Sequence, residues 1–235
     1  MHTSRVGNNI PVKKVEVPAI AWSSMPIHQV YVDDGVEELS AGLLANNYFV
    51  ESVSLPESIK SIPDYFAYLA RKLKSVEFRG KSRTDKVGQY AFYNSGLNHI
   101  DLPPMVTSIE NGAFAFCQLL TTIKLNQDLR LIGTSAFEGD SKLLSVVIPN
   151  GVLTLGEWAF YYPNAHITIP ASVASVGHHA FGAGVTLSFS DNPPKWLTIA
   201  WVDNEKINAI CYPKQNKVWA EKVNSFKKVC SIKEL

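Results

Sequence analysis

The sequence is short of net charge, of cysteine and of long apolar runs, and each shortage excludes something. Its 235 residues carry a formal net charge of +1. A chain built mainly for nucleic acid would show a clear basic excess, so no nucleic-acid partner is expected. No run approaches the roughly 18 apolar residues of a membrane span. Met1 to Asn9 hold no apolar h-region, so no signal peptide is read there. Either a leader has been lost or the protein reaches its location without one, and an untagged opening Met favours a natural start. Cys117, Cys211 and Cys230 are too few for a disulfide framework. Cys211 and Cys230 lie where they could meet, but two free thiols are the expectation. Cysteines and histidines nowhere take zinc spacing. No Gly-rich phosphate loop, HExxH or GxSxG occurs. No enzyme activity, cofactor or metal is therefore expected.

What the chain does have is 46% hydrophobic residues and a period. Asn111-Gly-Ala-Phe114 leads to Cys117, Leu119-Leu120 and Thr122-Ile-Lys-Leu125, and the layout returns as Thr134-Ser-Ala-Phe137, Leu143-Leu144 and Ser145-Val-Val-Ile148. Phenylalanines at 66, 92, 114, 137, 160 and 181 step by 26, 22, 23, 23 and 21 residues. Strand ends from Val32 through Leu55, Phe78, Leu102, Leu125, Ile148, Ile169 and Phe189 to Tyr212 keep the same pace. Self-similarity at 20–29 residues marks a solenoid of stacked repeats.

The unit Leu102-Pro103 through Val106-Thr-Ser-Ile109, Ala113-Phe114, Cys117 and Ile123-Lys-Leu125 resembles the BspA-like leucine-rich repeat, as does Ile169-Pro-Ala-Ser-Val173 through Ala180-Phe181. The resemblance covers roughly 30–232. It implies a mostly β, α/β-type solenoid: a right-handed leucine-rich repeat superhelix with one long parallel sheet on its concave side and capped ends. The expected divisions are an N-terminal extension and cap over 1–28, repeats over 29–190, and a C-terminal cap over 191–235. That cap would include Trp196, Trp201, Trp219 and a short helix at Glu221 to Phe226. The family also implies a non-catalytic binding or adhesion surface, often secreted or on bacterial cells, without naming one ligand.

Each strand alternates, with pairs such as Val53/Leu55 and Ile123/Leu125 inward and the residues beside them outward. Proline at 56, 103, 149, 170 and 213 ends the strand, because it has no N–H and a fixed φ. The Ala-Phe pair then wedges a ring between layers, with Ala leaving room for its neighbour.

Three groups are candidates for binding. The first is basic: Arg71, Lys72, Lys74, Arg79, Lys81, Arg83 and Lys86 crowd one stretch, and Arg79, Lys81, Arg83 and Lys86 follow Phe78 where other repeats turn at proline. The ordinary reading is a solvated loop; the functional one is an acidic protein or anionic glycan partner. The second is a stripe of aromatics beside the Phe anchors, including Tyr65, Tyr68, Tyr90, Tyr93, Trp158, Tyr161 and Tyr162. These either pad the core edge or form a contact surface, since tyrosine anchors interfaces. The third lies on the outward strand face, where His99 and Asp101 with Ser145 invite a triad reading. Ser145 is two coils from His99, about 10 Å at 4.8 Å per coil, so a row of solvated polar residues is the better reading. The His178-His179 pair is not read as a metal site, because adjacent residues point in different directions there. The leading expectation is a scaffold that binds a protein or a cell surface; the alternative is a structural subunit of a larger assembly such as a virion or surface layer, with self-association possible.

Overall fold

The computed structural model describes residues 3–6, 14–15, 22–162, 164–182, 184–189, 192, 194, 209–213, 216, 218–219 and 229–232. Long and short strands alternate along the chain. They begin with β1 (Thr3–Val6), β2 (Lys14–Val15), β3 (Gln29–Val32), β4 (Glu38–Leu39), β5 (Ser52–Leu55), β6 (Ser61–Ile62), β7 (Ser75–Phe78) and β8 (Lys86–Val87). They continue with β9 (His99–Asp101), β10 (Ser108–Ile109), β11 (Thr122–Lys124), β12 (Leu131–Ile132), β13 (Ser145–Val147), β14 (Thr154–Leu155), β15 (His166–Ile169) and β16 (Ser175–Val176). β17 (Thr186–Phe189), β18 (Ala209–Pro213) and β19 (Val229–Ile232) follow. All pairing is parallel and joins strands of neighbouring coils. Examples are Ile123 beside Ile100 and Val146 beside Ile167. The molecule is a parallel β-solenoid with almost no helix; among the described residues only 218–219 are helical.

The long strands form the main face, and the inward/outward alternation is as expected: in β5, Val53 and Leu55 are buried while Ser52 and Ser54 are partly exposed. A second sheet of two-residue strands runs β6-β8-β10-β12-β14-β16 on the return side of each coil. Its inward positions are apolar, Ile62 and Ile109 among them.

One expectation needs correction. The main sheet is not continuous: it divides into β1-β3-β5-β7 and β9-β11-β13-β15-β17-β18-β19. Leu55 to Ser61 is six residues, and Phe78 to Lys86 is eight. The two additional residues are taken up by folding Ser82 and Thr84 inward, where they are 2% and 0% exposed. Thr84 Oγ1 donates to the Ile59 carbonyl at 3.1 Å and accepts from Ser82 Oγ at 2.9 Å, so neither hydroxyl is left orphaned by burial. Beside this bulge the β7 and β9 ladders part, while the short-strand sheet on the return side stays paired.

The core is one apolar column. Phe92, Phe114, Phe137, Phe160 and Phe181 are all fully buried and stack with interplanar angles of 11°, 1°, 13° and 8° at centroid separations of 5.1 to 6.1 Å. Phe66 breaks the series, meeting Phe92 edge-on at 81°. The backbone explains it. Phe92 N–H donates to the Ala113 carbonyl, but in the preceding coil it is Ala67 N–H that donates to Ala91. Ala67, not Phe66, holds the structural place of Phe92. The Ala-Phe order is inverted in that coil, and its ring enters the stack one residue early.

At the C-terminal end, Trp219 is fully buried and stacks on Tyr212 at 5.4 Å. Cys211 is disulfide-bonded rather than free; the register sets it beside Cys230, and Cys117 is a buried free thiol. In-register neighbours in parallel strands sit about 4.8 Å apart, a separation a disulfide spans. Sequence distance alone concealed that adjacency. Most of the expected caps, including Ala19 to Ala21, Trp196, Trp201 and Glu221 to Phe226, lies outside the described residues.

Candidate binding surface

The aromatic stripe is set by a turn that recurs in each described coil from Gly42 to His179. Two residues before the Phe position the backbone takes positive φ at Gly42, Tyr65, Tyr90, Gly112, Ser135, Trp158 and His179. Two residues after it, φ is positive again at Asn46, Leu69, Asn94, Phe116, Gly139 and Tyr162. Glycine is the natural occupant of such a site, and each L-residue there is disfavoured by roughly 1–2 kcal/mol. Gly42, Gly112 and Gly139 show that the turn forms without a side chain. The bulky rings in the same places are therefore not demanded by the fold.

Four tyrosines form a two-by-two block on this flank. Tyr65 stacks on Tyr90 at 5.5 Å and Tyr68 on Tyr93 at 5.0 Å. Edge contacts at 5.7 and 5.8 Å join the two stacks, and Phe116 meets Tyr93 edge-on. Stacked and edge-to-face pairs at these separations are the favoured arrangements of aromatic quadrupoles. Tyr65 is 42% exposed and the other three half-buried. The block ends where Gly112 admits the Tyr90 ring: a Cβ there would lie 2.3 Å from Tyr90 Cε1. Farther along, Tyr161 and Tyr162 pack together at 4.2 Å with His179 nearby, and Tyr162 and Trp158 are exposed. The structure thus brings Tyr68 and Tyr93 into one aromatic cluster and puts Tyr161 and Tyr162 into another on the same flank.

The basic loop is divided in use. Arg79 reaches back two coils: its guanidinium donates to the Val32 carbonyl at 2.6 Å, to Asp34 Oδ1 at 2.8 Å and to Ser54 Oγ at 3.3 Å, and lies 3.9 Å over the Tyr31 ring. This is a strut between β3 and β7, and nothing in the spacing of basic residues signalled it. Lys81, Arg83 and Lys86 are exposed. Arg83 and Arg79 share a cleft of about 560 Å3 with the acidic side chains of Asp34 and Glu57.

His99 and Asp101 border the gap between β7 and β9, a cleft of about 380 Å3 that also holds Glu77. Both are exposed, and His99 Nδ1 lies 2.6 Å from Asn98 Oδ1. Their register neighbours are Thr122 and Lys124, so no nucleophile and base converge there. His166 Nε2 lies 2.5 Å from Ser188 Oγ, yet Ser188 is 4% exposed and no described carboxylate bonds to His166. Among the described residues no group of three or more His, Cys, Asp or Glu is placed to hold a metal ion. No helix there is long and apolar enough to cross a membrane.

Comparison with known proteins agrees with this geometry. The family model described as "BspA type Leucine rich repeat region" matches in six copies across residues 9–103, 37–166 and 85–200. The chain belongs to that family, which is generally non-catalytic. Among solved structures, a leucine-rich repeat protein from Bacteroides ovatus matches with TM-score 0.65 and 18% identity, over 98% of this chain and 69% of that one. A leucine-rich repeat protein of T. pallidum matches with TM-score 0.55 and 23% identity, over 69% and 72%. A leucine-rich cell surface protein from Faecalibacterium prausnitzii matches with TM-score 0.48 and 17% identity, over 91% and 75%. The first two likenesses concern the fold. No curated protein matches the sequence.

Proposed function

We propose that this protein is a non-catalytic repeat scaffold that binds a partner protein at a cell surface or outside the cell, through the tyrosine block on its flank. The observation that carries the reading is the choice of residue at the strained turns. Tyr65 and Tyr90 have φ of 56° and 52°, where a bulky side chain is an outlier, while the equivalent Gly42 and Gly112 make the same turn without strain. Strain kept at a solvent-facing site supports a role beyond folding. Tyrosine is also the residue type that supplies interface anchors. The disulfide at Cys211 supports an oxidising, extracytoplasmic setting.

Exposed Lys81, Arg83 and Lys86 favour a second reading, in which the loop meets an anionic glycan or an acidic protein. One experiment separates them. The immobilised protein captures a partner from its native environment. Tyr68→Ser/Tyr93→Ser abolishes capture, whereas Lys81→Glu/Arg83→Glu/Lys86→Glu retains it. The opposite pattern assigns binding to the loop and removes the tyrosine reading.

A further inference from the structure

The tyrosine block borders a recess. Past Tyr93, the Phe116 coil adds Ala115 to the lining and the following coil adds Ser135 and Glu138, around a hollow of about 410 Å3. Its lining is aromatic and acidic, with no lysine or arginine among the lining residues. Aromatic faces carry negative potential, and Tyr68, Tyr93 and Phe116 form a run of stacked and edge-on rings at 5.0 and 5.5 Å. Glu138 adds a half-buried carboxylate, and among the described residues no cation pairs with it. The Tyr93 phenol is held above its ordinary pKa, by desolvation first and then by Tyr68, Glu138 and Tyr90.

A cation is the complement of such a hollow, and its shape selects among cations. A guanidinium is planar, stacks on aromatic faces and pairs with a carboxylate through two N–H groups at once; an ammonium does only the last, and as a point charge. We propose that this recess receives the side chain of an arginine presented by the partner protein, held between the Tyr93 and Phe116 rings and the Glu138 carboxylate. This rests on the tyrosine flank being the binding surface, and it names what the flank recognises.

The test uses the full chain with isotope-labelled tyrosine and phenylalanine rings and titrates the blocked peptide acetyl-Gly-Arg-Gly-amide. Matched peptides carrying citrulline or lysine, and choline chloride, are run beside it. The expected result is saturable shifts of the Tyr93 and Phe116 rings with the arginine peptide, weakened about tenfold in Glu138→Gln, as the loss of a charge-assisted pair implies. The neutral citrulline peptide binds at least about fivefold more weakly than arginine. An unmoved Tyr93 and Phe116, or equal binding of citrulline, overturns the proposal. Lysine or choline binding as tightly as arginine overturns the arginine assignment. Failure here with partner capture still dependent on Tyr68 and Tyr93 removes only the arginine. A positive titration with capture indifferent to those tyrosines removes the flank as the partner site.

Discussion

Two sets of aromatic rings lie within two residues of each other along the same coils, and they obey different rules. The buried set repeats: a phenylalanine stands at the wedge of each coil from Phe92 to Phe181, fully buried, with its plane aligned to its neighbours. The flank set does not repeat. At one turn the coils read Gly42, Tyr65, Tyr90, Gly112, Ser135, Trp158 and His179, with the same backbone throughout. A position that every coil fills alike is one the stack requires. A position whose backbone is constant but whose side chain runs from hydrogen to indole is free of that requirement. In a solenoid, periodic residues report the stacking of repeats, and aperiodic residues in a periodic place are released from that demand.

The largest expected effect falls on the periodic set. Phe137→Ala, in the middle of the stack, lowers unfolding stability by about 3–5 kcal/mol, measured by denaturant titration. A smaller result would mean that the stack is not the spine of the molecule.

Asp140 tests the rule from within the core. It holds the place that Cys117 holds one coil earlier and Asn47 four coils earlier, just after the second positive-φ turn. Asn47 is fully buried but bonded: its Oδ1 accepts from the Phe49 and Val50 N–H groups at 2.8 Å each. Both Asp140 carboxyl oxygens are buried without a well-formed hydrogen bond, the nearby Cys117 N–H being given to the Phe114 carbonyl, and burial, only partly offset by the Cys117 backbone, raises its pKa well above the ordinary value. With the native pKa above the unfolded one, the folded state keeps a proton that the unfolded chain gives up. The titration of Asp140 therefore costs nothing below the ordinary carboxylate range. It erodes stability as pH rises from there to the raised native value, after which the loss is constant. Asp140→Asn is expected to gain about 1–3 kcal/mol at neutral pH and to flatten that slope. Equal gains at low and neutral pH would contradict the assignment.

Two glycine exchanges probe the turn. Gly112→Ala sets a Cβ at φ +63° against the Tyr90 ring and is expected to lower stability by about 1–2 kcal/mol. Ser135→Gly relieves the same turn two coils from Tyr90, where φ is 54°, and is expected to raise stability by about 0.5–1 kcal/mol. Thermal melts of the pair give opposite signs if these turns store strain, and like signs if they do not.

Much of this architecture was legible before any coordinates. The phenylalanine spacing and the strand alternation at Val53/Leu55 or Ile123/Leu125 are properties of local sequence, and period carries them. What escaped was set by contacts between coils. Tyr65-Phe66-Ala67-Tyr68 fits the wedge in two registers, and only the hydrogen bond from Ala67 to Ala91 selects one. The two additional residues after Phe78 pointed to a loop, yet their main consequence is the parting of β7 from β9. Arg79 was grouped by charge with Lys81, Arg83 and Lys86, while its partners Val32 and Asp34 lie more than forty residues away. The tyrosines could be named as a stripe. That Tyr65, Tyr90 and Tyr162 occupy strained turns depends on backbone angles, which the letters do not display.

The measurement that bears most directly on the central claim is a paired reading of Tyr68→Ser/Tyr93→Ser: thermal unfolding beside partner capture. The account predicts a loss of about 1–2 kcal/mol, the scale of two aromatic contacts, with the fold intact and capture abolished. A protein that unfolds as Phe137→Ala does, or one that still captures its partner, would show that these tyrosines belong to the scaffold and not to its purpose.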